Sequence, residues 1–385
     1  MQFNTLCECY QPNHLPDGQC QFGVRNSKIV EQIRQHNCDI VSLNECNPSS
    51  FYRAEFSKDY HIAFVGKSDW KRLKPRKDAA ANPALPPVIP LSHAEMVANE
   101  NDTDDGQMIM VKKQSSIEVI RFDHLVCFDG NDEVRPARQN AILAWLHHLP
   151  SGKEFFVISM HMKANGYNAQ EDKTLHYDGT RIRHLKQVLT QIQQIRMQRS
   201  GLGNGGNTTP PILFAGDFNA DLRGETMRFL LEGRAIADNH LHFLSETGKI
   251  EFASVTHEAI AAQIADEKRR LRATNAKEEM EGRLVTEDDF FTILDSSYNP
   301  QSGWHSVLDY ILYEKGRFAV TSYLCVPWRK RLPEKEPGWD GKLKPADPTL
   351  KQNDRRFTSE LGYGQDAIPH TGSDHIPIAA EFLLL

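Results

Sequence analysis

The run PILFAGDFNAD, residues 211–221, decides how the rest of the chain is read. A short apolar stretch, Ile212 to Ala215, gives way at once to Gly216, Asp217 and Asn219. A β-rich run bounded by turn residues suits a strand buried in a sheet. The sequence therefore places an acid and an amide at a strand end, where binding and catalytic groups collect in sheet proteins. The same arrangement recurs along the chain. Asn4 follows the first apolar residues, and Glu45 follows the strand DIVSL. His161 closes FFVISMH, Asp309 sits in HSVLDYILY, and Asp374 and His375 sit in GSDHIPI. Taken singly, Asn4 reads equally well as a turn residue and His161 as a core histidine bonded to a carbonyl. The ordered recurrence predicts one shared pocket.

The residue types suggest the chemistry. Carboxylates Glu45 and Asp374, with the neutral oxygen of Asn4, are hard donors suited to Mg²⁺, with Mn²⁺ as the alternative ion. An acidic site needs such a cation to receive a phosphate anion. His375 is placed to take or give a proton near neutral pH, with Asp309 as its orienting carboxylate. Asp217 and Asn219 would hold and activate a water for in-line attack at phosphorus. His161 would donate to a non-bridging oxygen as charge builds there.

At this point the chain resembles the endonuclease/exonuclease/phosphatase superfamily, and within it the deadenylase, nocturnin and Angel branch. FNTLCECY is similar to the branch's opening "YNxLCDxY", and CDIVSLNEC to "ADIISLQEV" with Asn44 in place of the usual Gln. DDGQMIMVKK resembles "DGCAIFFK", ISMHMKAN resembles "VTTHLKA", and FAGDFNAD matches "xxGDFNAx" in full. FFTILDSS followed by HSVLDYILY resembles "YTTW" followed by "HTLDYIWY", and GSDHIPIAAEF resembles "PSDHLPLxxxF". ARQNAILAWL resembles "xxNQVAIxxxL", which puts Asn140 at a position that often faces substrate. The resemblance implies an α/β (α+β) fold of DNase I type, a two-sheet β-sandwich flanked by helices with the site at its loop end. It implies the roles already assigned: metal at Glu45, Asn4 and Asp374; nucleophile or leaving group at Asp217 and Asn219; acid/base chemistry at His375 with Asp309; transition-state stabilisation at His161.

Composition sets the frame. The chain has 385 residues, 39% hydrophobic and 25% charged, as in an ordinary globular protein. The net charge of −6 excludes a wholly basic nucleic-acid coat. Seven irregularly spaced cysteines with no CxxC argue against a disulfide framework or structural zinc. No apolar run approaches the ~18 residues of a membrane span, and no secretory leader is visible in MQFNTLCECYQP, so an intracellular, cytoplasmic setting is expected. The branch's long N-terminal extensions are not matched, which argues against recruitment into a larger deadenylase complex.

Length allows two to three domains at roughly 150 residues each. The reading settles on a single catalytic domain, 1–385, with insertions at about 67–92, 255–288 and 327–371. The first carries the basic cluster Lys67, Lys71, Arg72, Lys74, Arg76 and Lys77, expected to be a solvated loop. The second is expected to be a charged helical insertion at the surface. Its KEEMEGRLVTEDDF echoes a calcium loop only faintly, with Lys277 at the first ligand position. The third holds six prolines and is expected to be a long loop. Trp304 and Trp339 are candidates for base stacking. Helices are expected over 26–36 and, from Ile182, Leu185, Leu189, Ile192 and Ile195, over 180–199.

The functional expectation is a Mg²⁺-dependent phosphoester hydrolase acting on RNA 3′ ends, with RNA or a nucleotide as its partner. A nocturnin-type nucleotide phosphatase and a sphingomyelin-type lipid phosphodiesterase are the alternatives. No hydrophobic anchor helix supports the lipid substrate. A nucleic-acid-binding scaffold without turnover is the reading from another class. The full set of catalytic residue types speaks against it.

Overall fold

The computed structural model describes residues 1–7, 22–77, 87–99, 102, 105–129, 135–168, 170, 173–200, 209–238, 240–247, 250–273, 290–291, 293–294, 305–325, 328–329, 373, 375 and 377–385. Two sheets face each other. The first contains β1 (Gln2–Asn4), β2 (Ile40–Asn44), β3 (Tyr60–Gly66) and β4 (Gly106–Lys112), in the order β1–β2–β4–β3. The second contains β5 (Ile117–Asp129), β6 (Arg135–His148), β7 (Lys153–His161), β8 (Ile212–Asp217), β9 (Phe252–Ser254) and β10 (Asp309–Glu314), in the order β9–β10–β8–β7–β6–β5. β11 (Phe318–Cys325) pairs with β12 (Ala379–Leu384). Just before β12, Ile378 exchanges both backbone hydrogen bonds with Gln2, at 2.7 and 2.9 Å, and so continues the first sheet past β1.

The core lies in three layers. Between the sheets, Ala63, Val65, Ile109 and Val111 meet Ile142, Leu146, Val157 and Ile311. The outer face of the first sheet is covered by α1 (Phe22–His36) and α2 (Ser49–Phe56), through Ile29, Ile33, Tyr52 and Phe56. The outer face of the second is covered by α3 (Asp178–Ser200) and α4 (Glu225–Glu232). The spacing read in the sequence is what buries α3: Ile182, Leu185, Leu189 and Ile192 are fully buried, each contributing roughly 1.5–3 kcal/mol. Gln187 and Gln191 of α3 hydrogen-bond the backbone of Phe128 and Val126, capping the open edge of β5.

Three expectations change. The stretch from 255 begins as α5 (Val255–Ala273), and Val255, Thr256, Ala259 and Ile260 are buried. Its first turns belong to the core, because they pack beneath β10, with Thr256 Oγ1 donating to the Asp309 carbonyl at 3.2 Å. Residues 274–288, with the calcium-like loop, lie outside the described residues, as do Trp304, Trp339 and nearly all of 327–371. The basic segment is not wholly solvated: Lys67 and Asp69 are buried, each with an opposite charge beside it. Strands β3, β5, β9 and β11 fall outside the apolar runs read in the sequence. The start of β5 alternates half-buried and exposed positions, with Glu118, Arg121 and Asp123 breaking any apolar run.

Candidate active site

Strand register assembles the site. β8 runs parallel to β7 with Asp217 opposite His161, and antiparallel to β10 with Asp217 opposite Asp309. Three neighbouring strands thus end in one row of His161, Asp217 and Asp309. The close packing of that row depends on Gly216, where an added Cβ would come within 2.0 Å of the Met160 carbonyl oxygen. From the facing sheet, β1 and β2 end in register at Asn4 and Asn44, and Glu45 follows directly. Glu45, Asn219 and Leu6 hold φ of 55°, 49° and 55°, left-handed values uncommon outside glycine. Such strain persists where the surroundings enforce it, and it clusters at functional sites.

The side chains converge on Asp217. Asn4 Nδ2 donates to Asp217 Oδ2 at 2.8 Å and to Glu45 Oε1 at 3.1 Å. In this orientation the amide nitrogen separates the two carboxylates, and the amide oxygen accepts the Leu6 N–H at 3.1 Å. Glu45 Oε2 accepts the Cys7 N–H at 3.1 Å. His161 Nε2 stands 3.8 Å from Glu45 Oε1 and 3.7 Å from Asp217 Oδ2. His375 donates from Nδ1 to Asp309 Oδ2 at 2.7 Å, which leaves Nε2 on the Asp217 side, 3.9 Å from Oδ2. Asn219 N–H donates to Asp217 Oδ1 at 2.9 Å, and its side-chain amide to the Met162 carbonyl at 3.1 Å.

Burial sets the electrostatics. Asp217 is pushed up from 3.8 to about 7, first by burial and then by Asp309, with Glu45 adding to it; His375 and the Asn4 hydrogen bond pull the other way. His161 is held well below the ordinary histidine value by burial, then by the positive charges of Lys67 and His375, so its imidazole is neutral.

The fold thus brings Asn4, Glu45, His161, Asp217, Asn219, Asp309 and His375 together. Asp374 lies outside the described residues. Asn140 directly precedes Ala141, which pairs with Met160, so it stands level with His161 on the neighbouring strand; its Oδ1 accepts from Gln107 Nε2 at 2.8 Å. Several residues in and around the site were not anticipated. Lys67 forms a buried ion pair with Asp105. Arg181 donates to the Lys163 carbonyl at 2.7 Å and to Asn165 Oδ1 at 2.5 Å, fixing the loop after His161. Gln2 and Asn44 lie behind the carboxylates. The one local clue to Lys67 was its place directly after the apolar run HIAFVG.

A divalent cation fits these residues. Glu45, His161 and Asp217 offer donor atoms all within 4.8 Å of one another, and so do Asp217, Asp309 and His375. The raised Asp217 records more negative charge than the buried pocket tolerates, which a cation would relieve.

The sequence profile of the Endonuclease/Exonuclease/phosphatase family matches residues 1–375. The chain belongs to this family. It is therefore a phosphoester hydrolase of a family that generally depends on divalent metal. A search of curated protein sequences finds no match. Among solved structures, ANGEL2, described as a 2′,3′-cyclic phosphatase and bound to adenosine-2′,3′-vanadate, is 14% identical. That match covers 99% of this chain and 94% of that one, with a TM-score of 0.56. The human nocturnin catalytic domain with bound sulfate is 17% identical over 84% of each chain, with a TM-score of 0.49. A functionally unknown conserved protein from Enterococcus faecalis is 12% identical over 100% of this chain and 98% of that one, with a TM-score of 0.50. At such identities the likeness shows the fold: a DNase I-like α/β sandwich with flanking helices. Among the described residues, no helix is long and apolar enough to cross a membrane.

Proposed function

We propose that this chain is a Mg²⁺-dependent phosphodiesterase that removes nucleotides from RNA 3′ ends, working as a single catalytic domain. The observation that carries the hydrolytic reading is the convergence of His161, His375, Asn4 and Glu45 on one buried carboxylate, Asp217, whose affinity for a proton lies near neutrality. Glu45 and Asp374 would hold the metal, and Asn4 would steady Glu45 by donating to it. When bound there, the metal neutralises phosphate charge and polarises the P–O bonds. The chain's own groups do the rest. Asp217, poised at about 7, accepts a proton from the attacking water, with Asn219 beside it to orient that water. His161, kept neutral, donates from Nε2 to a non-bridging oxygen as charge grows on it. His375, fixed by Asp309 through Nδ1, gives a proton from Nε2 to the oxygen that leaves as the P–O bond breaks, balancing the one Asp217 takes from water. The 3′-end assignment rests on the branch resemblance of the ordered motifs.

The test compares purified protein with its Glu45→Gln variant on 3′-hydroxyl poly(A), mixed RNA, a 2′,3′-cyclic phosphate oligonucleotide, single-stranded DNA, NADP and sphingomyelin, each with Mg²⁺. Shortening of RNA from the 3′ end, lost in the variant, is the expected result. Turnover of NADP or sphingomyelin alone would reject the RNA substrate. Turnover of none of them would reject the hydrolase mechanism.

A further inference from the structure

Behind the carboxylates lies a layer of neutral polar groups that the proposed chemistry does not use. Gln2 is fully buried, its backbone held between Ser42 on β2 and Ile378. Its Nε2 donates to Asn44 Oδ1 at 2.7 Å and to Asp309 Oδ1 at 3.3 Å, and its Oε1 accepts from Ser42 Oγ at 2.7 Å. Asn44 Oδ1 also accepts the Asp217 backbone N–H at 2.8 Å. That last bond fixes the orientation of the whole layer. A backbone N–H only donates, so the Asn44 oxygen must face Asp217. The Gln2 nitrogen must then face Asn44, and its second hydrogen reaches Asp309. Asn44 Nδ2 is buried with no partner among the described residues. A buried unpaired donor is unfavourable, so the amide is kept for what its oxygen does.

We infer that Gln2 and Asn44 are positioning residues of the hydrolytic site: Gln2 aims the Asp309 carboxylate at His375, and Asn44 holds the strand end that carries Asp217. One side chain thus ties both halves of the site, across the two sheets. Asp309 receives His375 on Oδ2 and Gln2 on Oδ1, so it is held from both oxygens and cannot rotate away without breaking a buried bond. Gln2 supplies this support without adding charge. A lysine or arginine there would neutralise the carboxylate that has to hold the imidazole. Partners that orient a working group are typically worth roughly 10–100-fold in activity. The catalytic consequence rests on the hydrolase reading above; the positioning itself rests only on the hydrogen bonds.

The experiment therefore has two arms. In the first, proton NMR of the metal-free protein follows the downfield imidazole N–H that His375 shares with Asp309, assigned by its loss in His375→Ala. It should persist in Ser159→Ala, whose hydroxyl contacts Ser42 in the same buried layer at 2.8 Å but touches neither carboxylate. It should shift or vanish by exchange in Gln2→Met, which preserves length without the donor. Gln2→Asn, shorter by one methylene, keeps an amide in the layer and serves if the Met variant does not fold; the same change is expected. In the second arm, kcat and KM are measured with Mn²⁺ and bis(p-nitrophenyl) phosphate. Gln2→Met should lower kcat roughly 10–100-fold with KM little changed. It should add nothing further in an Asp309→Ala background. An unchanged resonance in the Gln2 variants, or fully multiplicative losses in the double variant, overturns the positioning role. A wild-type protein inactive on the diester, with the resonance still responding to Gln2, would sink the hydrolase reading and leave the positioning intact.

Discussion

Replacing Asp217 by asparagine tests the electrostatics of the site before any substrate is known. The folded protein holds the Asp217 proton up to about 7, whereas the unfolded chain releases it at 3.8. Between those values the folded state binds more protons, so stability falls as pH rises through the window. From pH 5 to 8, at about 1.4 kcal/mol per pH unit below the folded value, the loss from this group is roughly 3 kcal/mol. Unfolding entropy of about 2.1 cal/mol/K per residue converts that to a melting shift of roughly 4 °C for a chain of 385 residues. Asp217→Asn cannot ionise, so it lacks this term. It also turns an amide hydrogen toward the Asn4 nitrogen where the carboxylate accepted, a fixed penalty of about 1–3 kcal/mol at every pH. The melting temperature of the variant minus that of wild type, measured in EDTA, should therefore climb by roughly 4 °C from pH 5 to 8, whatever its starting sign. Mg²⁺ at pH 8 should raise wild type more than the variant, because above about 7 Asp217 is ionised and offers a cation an anionic oxygen that the amide lacks. Parallel profiles across that pH range would refute the raised proton affinity that burial, Asp309 and Glu45 give Asp217.

Other outcomes follow from individual contacts. Glu45→Gln removes an anionic oxygen while keeping its size, so the Mg²⁺ concentration giving half-maximal rate should rise at least roughly 10–100-fold; an unaltered titration contradicts the metal assignment. Lys67→Met leaves buried Asp105 without its ion-pair partner and should cost about 3–5 kcal/mol in urea unfolding, with Asp105→Asn in the same chain recovering part of it. Deleting 255–288 should abolish cooperative unfolding because Val255, Ala259 and Ile260 leave the core, whereas deleting 274–288 alone should leave the melting transition in place.

What could be read before the structure was the set of polar residues that interrupt apolar strands. Asp217, His161 and Asp309 stood out because each sits against a buried β-run, and the sheet register sets the three side by side. What stayed hidden was contact between distant strands. Nothing local pairs Lys67 with Asp105, 38 positions away, or Gln2 with Asp309, 307 positions away. The buried start of α5 was hidden for another reason. The charged positions that follow, Asp266 to Arg272, make the whole stretch look like a surface helix, although its first two turns carry the burial. Nothing in the sequence assigns a role to the Asn at 44, in place of the branch's usual Gln. In the structure its oxygen receives both Gln2 and the Asp217 backbone.

The choice of amides around the carboxylates bears on how such a site stays folded yet ready for a cation. Asp217 lies between Asp309 and Glu45, and each raises its proton affinity. Arginine or lysine would relieve that repulsion most directly, and a salt bridge of that kind is how Lys67 satisfies Asp105 nearby. Placed among Glu45, Asp217 and Asp309, however, a fixed cation would occupy the charge that a divalent ion needs. Asn4 and Gln2 instead donate hydrogen bonds to all three carboxylates, lowering the cost of burial while leaving their negative charge in place. The neutral His161 follows the same logic: with its positive charge suppressed by burial and by Lys67, it can donate a hydrogen bond without competing with a cation for the pocket. Substituting a lysine for Asn4 should therefore stabilise the metal-free fold's charge balance and abolish Mg²⁺ binding together, and a variant that still bound Mg²⁺ with wild-type affinity by calorimetry would break the argument.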